Sequence, residues 1–138
     1  MKRQNLLNKK KKKKGFTLIE LITVMAIMAV LAVVAIPKYS EFKERANKKH
    51  DLATAKTIAN AASGLVAEGE FTLPLAAVTL ESGTDTNADK IEAMLQSIPE
   101  GKTAGHTGNF KVSIEANGTV HVWLGTAEVY PNTSSDFK

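Results

Sequence analysis

Residues 15–36 read GFTLIELITVMAIMAVLAVVAI, and this stretch decides what kind of fold the chain can have. From Phe16 to Ile36 it contains one charged side chain, Glu20, among 21 residues. A helix of this length rises about 32 Å, close to the roughly 30 Å hydrocarbon core of a bilayer. The sequence therefore predicts a membrane-spanning helix over residues 16–36, with a carboxylate near its beginning.

A strongly basic segment precedes the apolar stretch. Residues 1–15 hold Lys2, Arg3 and the six consecutive lysines 9–14, and no acidic residue. The other residues of the 138-residue chain include ten basic and 14 acidic side chains, so the overall charge of +4 comes from this segment. The positive-inside rule keeps the basic end in the cytoplasm and predicts export of the chain after Pro37.

Glu20 is an unfavourable residue for a bilayer. A charged side chain deep in a membrane costs about 2.5 to 3.5 kcal/mol on insertion scales, and such residues are usually paired or functional. No lysine or arginine lies between Phe16 and Ile36, so no basic residue stands three or four positions away on the same helix face. We therefore expect the partner of Glu20 to come from another molecule.

Two simpler interpretations of the apolar stretch fit less well. A cleaved secretory signal has an apolar region of about 7 to 15 residues that ends at a small-residue site. The run in this chain is longer and is interrupted by Glu20, although Ala32 to Ala35 could serve as a weak site. A plain single-pass anchor accounts for the length and the lysines, but it does not account for the glutamate.

Residues 15–20, GFTLIE, follow a basic segment and precede a long uncharged run. In this order and spacing they resemble the class III leader of type IV pilins and pseudopilins. The resemblance covers about residues 9–45. The remainder of the chain has to be interpreted from its own residues.

The resemblance assigns roles to the residues at the junction. It implies that a prepilin peptidase cleaves on the cytoplasmic side between Gly15 and Phe16, which removes the leader, residues 1–15. It implies that the new amino group of Phe16 is methylated. It also implies that Glu20 neutralises the amino terminus of a neighbouring subunit as the subunit leaves the bilayer for a growing filament.

The helical pattern continues beyond the apolar stretch. Pro37 removes a backbone hydrogen-bond donor, so we expect a helix kink there. Residues 37–66 are rich in alanine, lysine and glutamate and predict an amphipathic continuation of the helix. Gly69 marks its expected end. The predicted buried stripe, at three- and four-residue steps, consists of Ala55, Ile58, Ala59, Ala62, Leu65 and Val66.

Residues 67–138 predict a small globular head. Because the stripe on the second half of the helix needs cover, we expect the head to pack on it. Residues 70–80 are apolar but contain Pro74, which predicts an extended connection with a short strand. The predicted fold class is α+β, with a long amino-terminal helix, kinked near Pro37, and a small antiparallel sheet on its second half.

A short helix is predicted over residues 88–98. Thr86 or Asn87 is expected to begin it, and Pro99 follows its end. The apolar side chains that share one face are Ile91, Met94, Leu95 and Ile98.

Residues 85–89, DTNAD, also resemble the opening of a calcium-binding loop. Such a loop needs glycine where Lys90 stands and glutamate where Gln96 stands. We therefore interpret these residues as a helix cap and predict no metal site.

A β-hairpin is predicted over residues 109–124, where two alternating runs flank Asn117 and Gly118. A two-residue loop would divide the apolar side chains between both faces. A three-residue loop, 116–118, makes one wholly apolar face, since it pairs Ile114 with Val120, Val112 with Val122 and Phe110 with Leu124. We predict the three-residue loop, with Gly118 in a left-handed bulge position and the apolar face on the helix stripe.

The last part of the chain leaves alternatives open. Residues 127–130 predict a third short strand. Trp123 points away from the stripe together with His121. It is either a contact residue, between subunits or to a host surface, or it is covered by the carboxyl-terminal tail. The tail itself is either held by its apolar residues or loose; those residues are Val129, Tyr130 and Phe137.

The sequence does not predict an enzyme or a cofactor site. The chain contains no cysteine, which excludes a disulfide framework, a thiolate metal site and a cysteine nucleophile. His50, His106 and His121 are widely spaced and show no catalytic pattern, so we expect them to be surface residues.

The leading interpretation is a structural subunit of a type IV pilus. As a precursor it would lie in the cytoplasmic membrane with its amino terminus in the cytoplasm; assembled, it would be one copy in an extracellular helical filament that serves adhesion or motility. The resemblance implies a prepilin peptidase and methyltransferase, an assembly ATPase, a platform protein and, where an outer membrane exists, a secretin.

Two alternatives share the leader. The chain could be a pseudopilin of a type II secretion or DNA-uptake machine, or a minor binding subunit at a filament tip. Nucleic-acid binding is not expected, because residues 16–138 carry a net negative charge, although Lys48 and Lys49 could form a local basic patch.

Overall fold

The structure is a computed structural model that describes residues 15–83 and 85–138. The predicted leader, except for Gly15, lies outside the described residues. The chain divides into two units, Met1–Lys38 and Tyr39–Lys138. The elements in chain order are α1 (Leu18–Ala67), β1 (Leu75–Thr79), α2 (Thr86–Met94), β2 (Glu100–Gly101), β3 (Gly108–Ile114), β4 (Val120–Leu124), β5 (Ala127–Tyr130) and a 3₁₀ turn (Ser135–Phe137). These elements confirm the α+β prediction of a long amino-terminal helix and a small antiparallel sheet.

The first unit contains the apolar part of α1. Its large apolar side chains are exposed, from 52% at Ile22 to 95% at Phe16. Among the described residues, α1 is the one helix long and apolar enough to cross a membrane; its most apolar 18-residue window has a mean hydropathy of 2.7, and none of that window is buried. Pro37 lies within α1. The kink expected at this proline stays a prediction.

In the second unit, α1 ends as the sequence predicted. The amide of Gly69 donates to the carbonyl of Val66 at 3.1 Å, and the amide of Glu70 donates to the carbonyl of Leu65 at 3.0 Å. Gly69 has a φ of 77°, a left-handed conformation that only glycine adopts without strain. This pair of bonds is a Schellman motif, which satisfies the last carbonyls of the helix.

The sheet has the strand order β1-β3-β4-β5, and β2 pairs with the beginning of β3. The hairpin register is the predicted one: Phe110 lies opposite Leu124, Val112 opposite Val122 and Ile114 opposite Val120. The predicted strands in the connection and at the end of the chain are β1 and β5. β2 was not predicted, because two residues are too short to show a periodic pattern.

The loop of the hairpin also matches the prediction. The amide of Glu115 donates to the carbonyl of Thr119 at 2.9 Å, which closes the three residues 116–118. Gly118 has a φ of 86°, so the left-handed position is occupied by glycine.

One hydrophobic core joins the helix to the sheet. The buried apolar residues of α1 are Ala55, Ile58, Ala59, Ala62 and Leu65, and Val66 is partly buried against them. They belong to the same cluster as the hairpin residues Phe110, Val112, Ile114, Val120, Val122 and Leu124. The predicted packing of the apolar hairpin face on the alanine-rich stripe is therefore confirmed. Small residues on the helix let the sheet approach closely.

The short helix α2 begins slightly earlier than predicted, with Asp85 rather than Thr86 or Asn87 as its cap, and it also ends earlier. The carboxylate of Asp85 caps it by accepting the amides of Asn87 at 2.7 Å and Ala88 at 3.4 Å, which confirms the helix-cap interpretation. The prediction that it continues to Ile98 is wrong, because the chain becomes extended at Leu95. It leaves the helix there to bring β2 alongside β3, a pairing that no local pattern shows.

The carboxyl-terminal tail is held against the core. Val129 and Phe137 are each only 2% exposed, and Tyr130 packs partly against them. Of the two alternatives that the sequence left open, the structure shows the held tail.

Candidate assembly site and the helix–head contact

The amino-terminal end of α1 is held by a reciprocal pair of polar residues. The amide of Thr17 donates to Oε2 of Glu20 at 2.8 Å, and the hydroxyl of Thr17 donates to the same oxygen at 2.9 Å. The amide of Glu20 in turn donates to the Thr17 hydroxyl oxygen at 3.3 Å. This arrangement is a capping box, in which both residues satisfy amides that the first helical turn leaves without partners.

The capping box corrects the expectation that Glu20 has its partner only in another molecule. Within the chain, Thr17 supplies polar hydrogen atoms to one carboxylate oxygen. No basic residue is involved, so the negative charge itself is not neutralised. The spacing Thr17-x-x-Glu20 is a capping-box signal in the sequence, and it would have found this partner.

The junction before the helix is accessible. Gly15, Phe16 and Thr17 precede α1 in non-helical backbone, and Phe16 is 95% exposed. Nothing lies within 4 Å of the position that a Cβ would take on Gly15. The structure therefore places Gly15, Phe16 and Glu20 together at one helix end. Their roles in cleavage, methylation and assembly remain predictions.

A second polar site joins α1 to the head, and it was not predicted. Asp51 is fully buried on α1, one turn before Ala55. Its carboxylate accepts the amide of Lys102 at 2.9 and 3.0 Å, the amide of Thr103 at 2.8 Å and the hydroxyl of Thr103 at 2.6 Å. His50 Nδ1 lies 3.2 Å from its Oδ1 atom. The buried charge is stabilised mainly by backbone amides rather than by a cation.

Two more residues on the same side of α1 extend this contact. Glu44 accepts the amide of Ala104 at 3.1 Å, and the side-chain amide of Asn47 donates to the carbonyl of Lys102 at 2.9 Å. Together with Asp51 they bind three consecutive residues of one loop. We call the contact between Glu44, Asn47, Asp51 and residues 102–104 the helix–head clamp.

The sequence contained one signal for this clamp. Asp51 continues the buried stripe of Ala55 and Ile58 by one turn, so an acidic residue occupies a core position of the pattern. The loop that it binds is separated from it by 51 residues, and only the folded chain identifies it.

Two of the three histidines are not the surface residues that we expected. His106 and His121 have side chains only 18% exposed, whereas His50 is 45% exposed. His121 lies 2.6 Å from Glu128 and 3.2 Å from Glu115, and His106 lies 3.2 Å from Asp136. His121 on β4 thus contacts Glu128 on β5 and Glu115, which follows β3. His106 contacts Asp136 in the carboxyl-terminal tail.

The histidines and carboxylates of the described residues do not form a metal site. Among the residues 15–83 and 85–138, no group of three or more histidine, cysteine, aspartate or glutamate side chains is placed to hold a metal ion. Trp123 is half-buried beside Leu75, and its ring nitrogen donates to the hydroxyl oxygen of Ser113 at 3.3 Å.

Comparison with known proteins identifies the amino-terminal segment. Residues 10–36 match the family model described as the prokaryotic N-terminal methylation motif, over about a fifth of the chain. No curated protein and no solved structure matches the chain. The matched residues include the capping box and the exposed apolar part of α1.

Proposed function

We propose, from the methylation motif at residues 10–36, that this chain is a structural subunit of a type IV pilus. The motif is the class III leader of type IV pilins, and it supports a pilin-like or pseudopilin precursor. It also implies processing by a prepilin peptidase and use by a pilus assembly machinery. Proteins of this kind are generally not enzymes. The specific role as a pilus subunit is our proposal.

The observation that carries the proposal is the exposed apolar surface of α1. From Leu18 to Ile36 every large apolar side chain of the helix is more than half exposed. Covering such a surface contributes about 25 cal/mol per Å², so the segment is stable either in a bilayer or against other apolar helices. A subunit that moves from the membrane into a filament uses both environments in turn.

The junction residues supply the chemistry of that transfer. Cleavage after Gly15 would remove the basic leader, residues 1–15, and create an ammonium group on Phe16. In a filament core, a charged group without a partner is strongly unfavourable, and removing one member of a buried pair costs about 3 to 5 kcal/mol. The carboxylate of Glu20 on one subunit would therefore pair with the ammonium group of Phe16 on the next.

The remaining segments take their proposed places from this arrangement. Residues 16–36 would form the filament core, and residues 37–66 would carry the head on the rest of the helix, with Pro37 as a kink between them. The head, residues 67–138, would form the outer wall. The helix–head clamp and the shared core fix the sheet to the helix during assembly.

The processing step is tested by intact mass spectrometry of protein from membranes and from sheared filaments. We expect filament protein that lacks residues 1–15 and carries one added methyl group on Phe16. A product that begins near Ile36, or filaments that retain the leader, would contradict the proposal. Absence of the chain from long extracellular fibres, with normal processing, would favour a pseudopilin.

The capping box makes a sharper test of Glu20 possible. Glu20→Gln keeps a side chain that can complete a capping box but removes the charge, whereas Thr17→Val removes the hydroxyl of the box and keeps the charge. If Glu20 acts by pairing with an ammonium group, the first variant should be cleaved but give few filaments, and the second should assemble. The reverse pattern would show that helix capping, and not charge pairing, is required.

A further inference from the structure

The part of α1 at the beginning of the second unit has an exposed face of two aromatic and two basic residues. Tyr39 and Phe42 are each 71% exposed, and Arg45 and Lys49 are exposed as well. They follow one another at steps of three, three and four residues, which puts them on one side of the helix. We call these four residues the aromatic–basic face.

The clamp turns the nearby acidic groups away from this face. Glu44 and Asp51, with Asn47 between them, lie on roughly the opposite side of α1 and bind the loop 102–104. Glu41, the other acidic residue nearby, is also not without a partner. Residues 39–49 contain four basic side chains. Within the part of the chain that the structure describes, these side chains make no hydrogen bond or ion pair; they are Lys43, Arg45, Lys48 and Lys49.

The position of this face along the chain indicates that it lies near the headgroup region of a bilayer. Tyr39 follows Ile36, the end of the apolar stretch, by three residues, which span at most about 11 Å. From Tyr39 to Lys49 the helix rises about 15 Å. The headgroup region of a bilayer is about 5 to 7 Å thick on each side, and electrostatic attraction extends about 8 to 10 Å further into physiological salt. Aromatic residues are enriched at this level of a membrane.

The basic residues of this face also disfavour the predicted membrane orientation of the chain. Under the positive-inside rule, basic residues after the membrane span oppose its export, and the leader must outweigh them. Basic side chains without acidic partners close to the membrane span would be stabilised by an anionic surface. Basic residues close to a membrane bind anionic lipids with a favourable energy for each charge.

We propose that the aromatic–basic face binds anionic phospholipid headgroups while the subunit is held in the membrane. Tyr39 and Phe42 would insert beside the headgroups, and Arg45 and Lys49 would be attracted electrostatically to their phosphates. The binding would hold the second unit against the lipid surface until the subunit is withdrawn into a filament. The inference rests on the proposed membrane-resident precursor.

The test uses the full chain reconstituted in phosphatidylcholine vesicles with and without phosphatidylglycerol. Because the chain contains no cysteine, Ala46→Cys, at an exposed position between the two basic residues, can carry a single fluorescent label. Quenching by the neutral solute acrylamide then measures how far the label is covered. We expect phosphatidylglycerol to protect the label, and 0.5 M NaCl, an amount that screens beyond about 4 Å, to reverse the protection.

The charge variants decide the assignment. Arg45→Gln with Lys49→Gln should lower the ratio of protected to exposed label about fivefold for each charge removed. The matched control, Lys111→Gln with Lys138→Gln, removes the same charge from exposed positions of the head and should leave the ratio unchanged. Equal losses in both double variants, or no dependence on phosphatidylglycerol, would overturn the proposal.

Three outcomes distinguish the possible errors. Stronger protection by a DNA oligonucleotide in pure phosphatidylcholine vesicles than by phosphatidylglycerol would overturn the lipid assignment in favour of nucleic acid. A chain that does not float with the vesicles would contradict the membrane precursor itself, and the lipid site with it. A chain that inserts but ignores phosphatidylglycerol would contradict the lipid site alone.

Discussion

Replacing Asp51 by alanine should destabilise the head strongly, although Asp51 is remote from the membrane segment. The carboxylate is fully buried and accepts two backbone amides and one hydroxyl from Lys102 and Thr103. Thr103 is itself 1% exposed, so water cannot replace the lost acceptor at that residue. Leaving its amide and hydroxyl unsatisfied costs about 1 to 3 kcal/mol each, which gives about 2 to 6 kcal/mol for the variant.

This loss is large compared with a total stability of about 5 to 15 kcal/mol for a small domain. It should lower Tm by at least about 8 °C for a domain of this size. Thermal unfolding of the full chain in detergent can be followed by the fluorescence of Trp123, the single tryptophan of the chain. Glu100→Gln, an exposed acidic position in β2, is the control and should change stability by less than about 0.5 kcal/mol.

A double-mutant cycle separates the hydrogen bonds from other effects. Thr103→Val removes the hydroxyl and should cost about 1 to 2 kcal/mol in a chain with Asp51, and much less in a chain that already carries the Asp51→Ala substitution. A coupling energy near zero would show that the two side chains do not stabilise each other. An Asp51→Ala variant as stable as the Glu100→Gln control would refute the reasoning about the clamp.

Three further substitutions test the packing and the electrostatics of α1 and the head. Gly101→Ala should destabilise the head by about 2 kcal/mol, because a Cβ would lie 2.7 Å from the carbonyl oxygen of His106. Gly64→Ala, with open space around the new Cβ, should stabilise the helix by about 0.5 to 1 kcal/mol. Both changes in stability can be measured from the shift in Tm. Burial, and then the nearby carboxylates of Asp89 and Glu81, raise the pKa of Glu92 above its ordinary value of 4.5, so its contribution to stability is present below that pH and is lost as the pH rises. Glu92→Gln should therefore raise Tm at pH 7 and have little effect at pH 4; a rise of equal size at both values would contradict this cause.

Much of the head was predictable because its signals are local. The alternation on both sides of Gly118 left one register with an apolar face, and the structure has that register. The stripe from Ala55 to Leu65 predicted the buried side of α1, and Gly69 predicted its end. Each of these predictions depends on spacing within a few residues, which is how periodicity and turn chemistry act.

Apart from the local capping box of Thr17 and Glu20, the contacts that were missed join residues far apart in the chain. Asp51 and residues 102–104 are one example, β2 against β3 is a second, and the pairing of His106 with Asp136 is a third. The early end of α2 follows from the second of these. A polar side chain in a sequence does not show whether a distant backbone amide will meet it, since that depends on how the chain folds back.

The sequence by itself determined that one segment is too apolar for water, that a basic stretch precedes it, and which faces of the helix and hairpin are buried. Only the tertiary structure decided that Asp51 is bound by the loop 102–104 and that Arg45 and Lys49 have no acidic partner among the described residues. The physical reason is that burial of apolar surface follows composition and period, whereas hydrogen bonds and ion pairs depend on the direction and distance of individual groups.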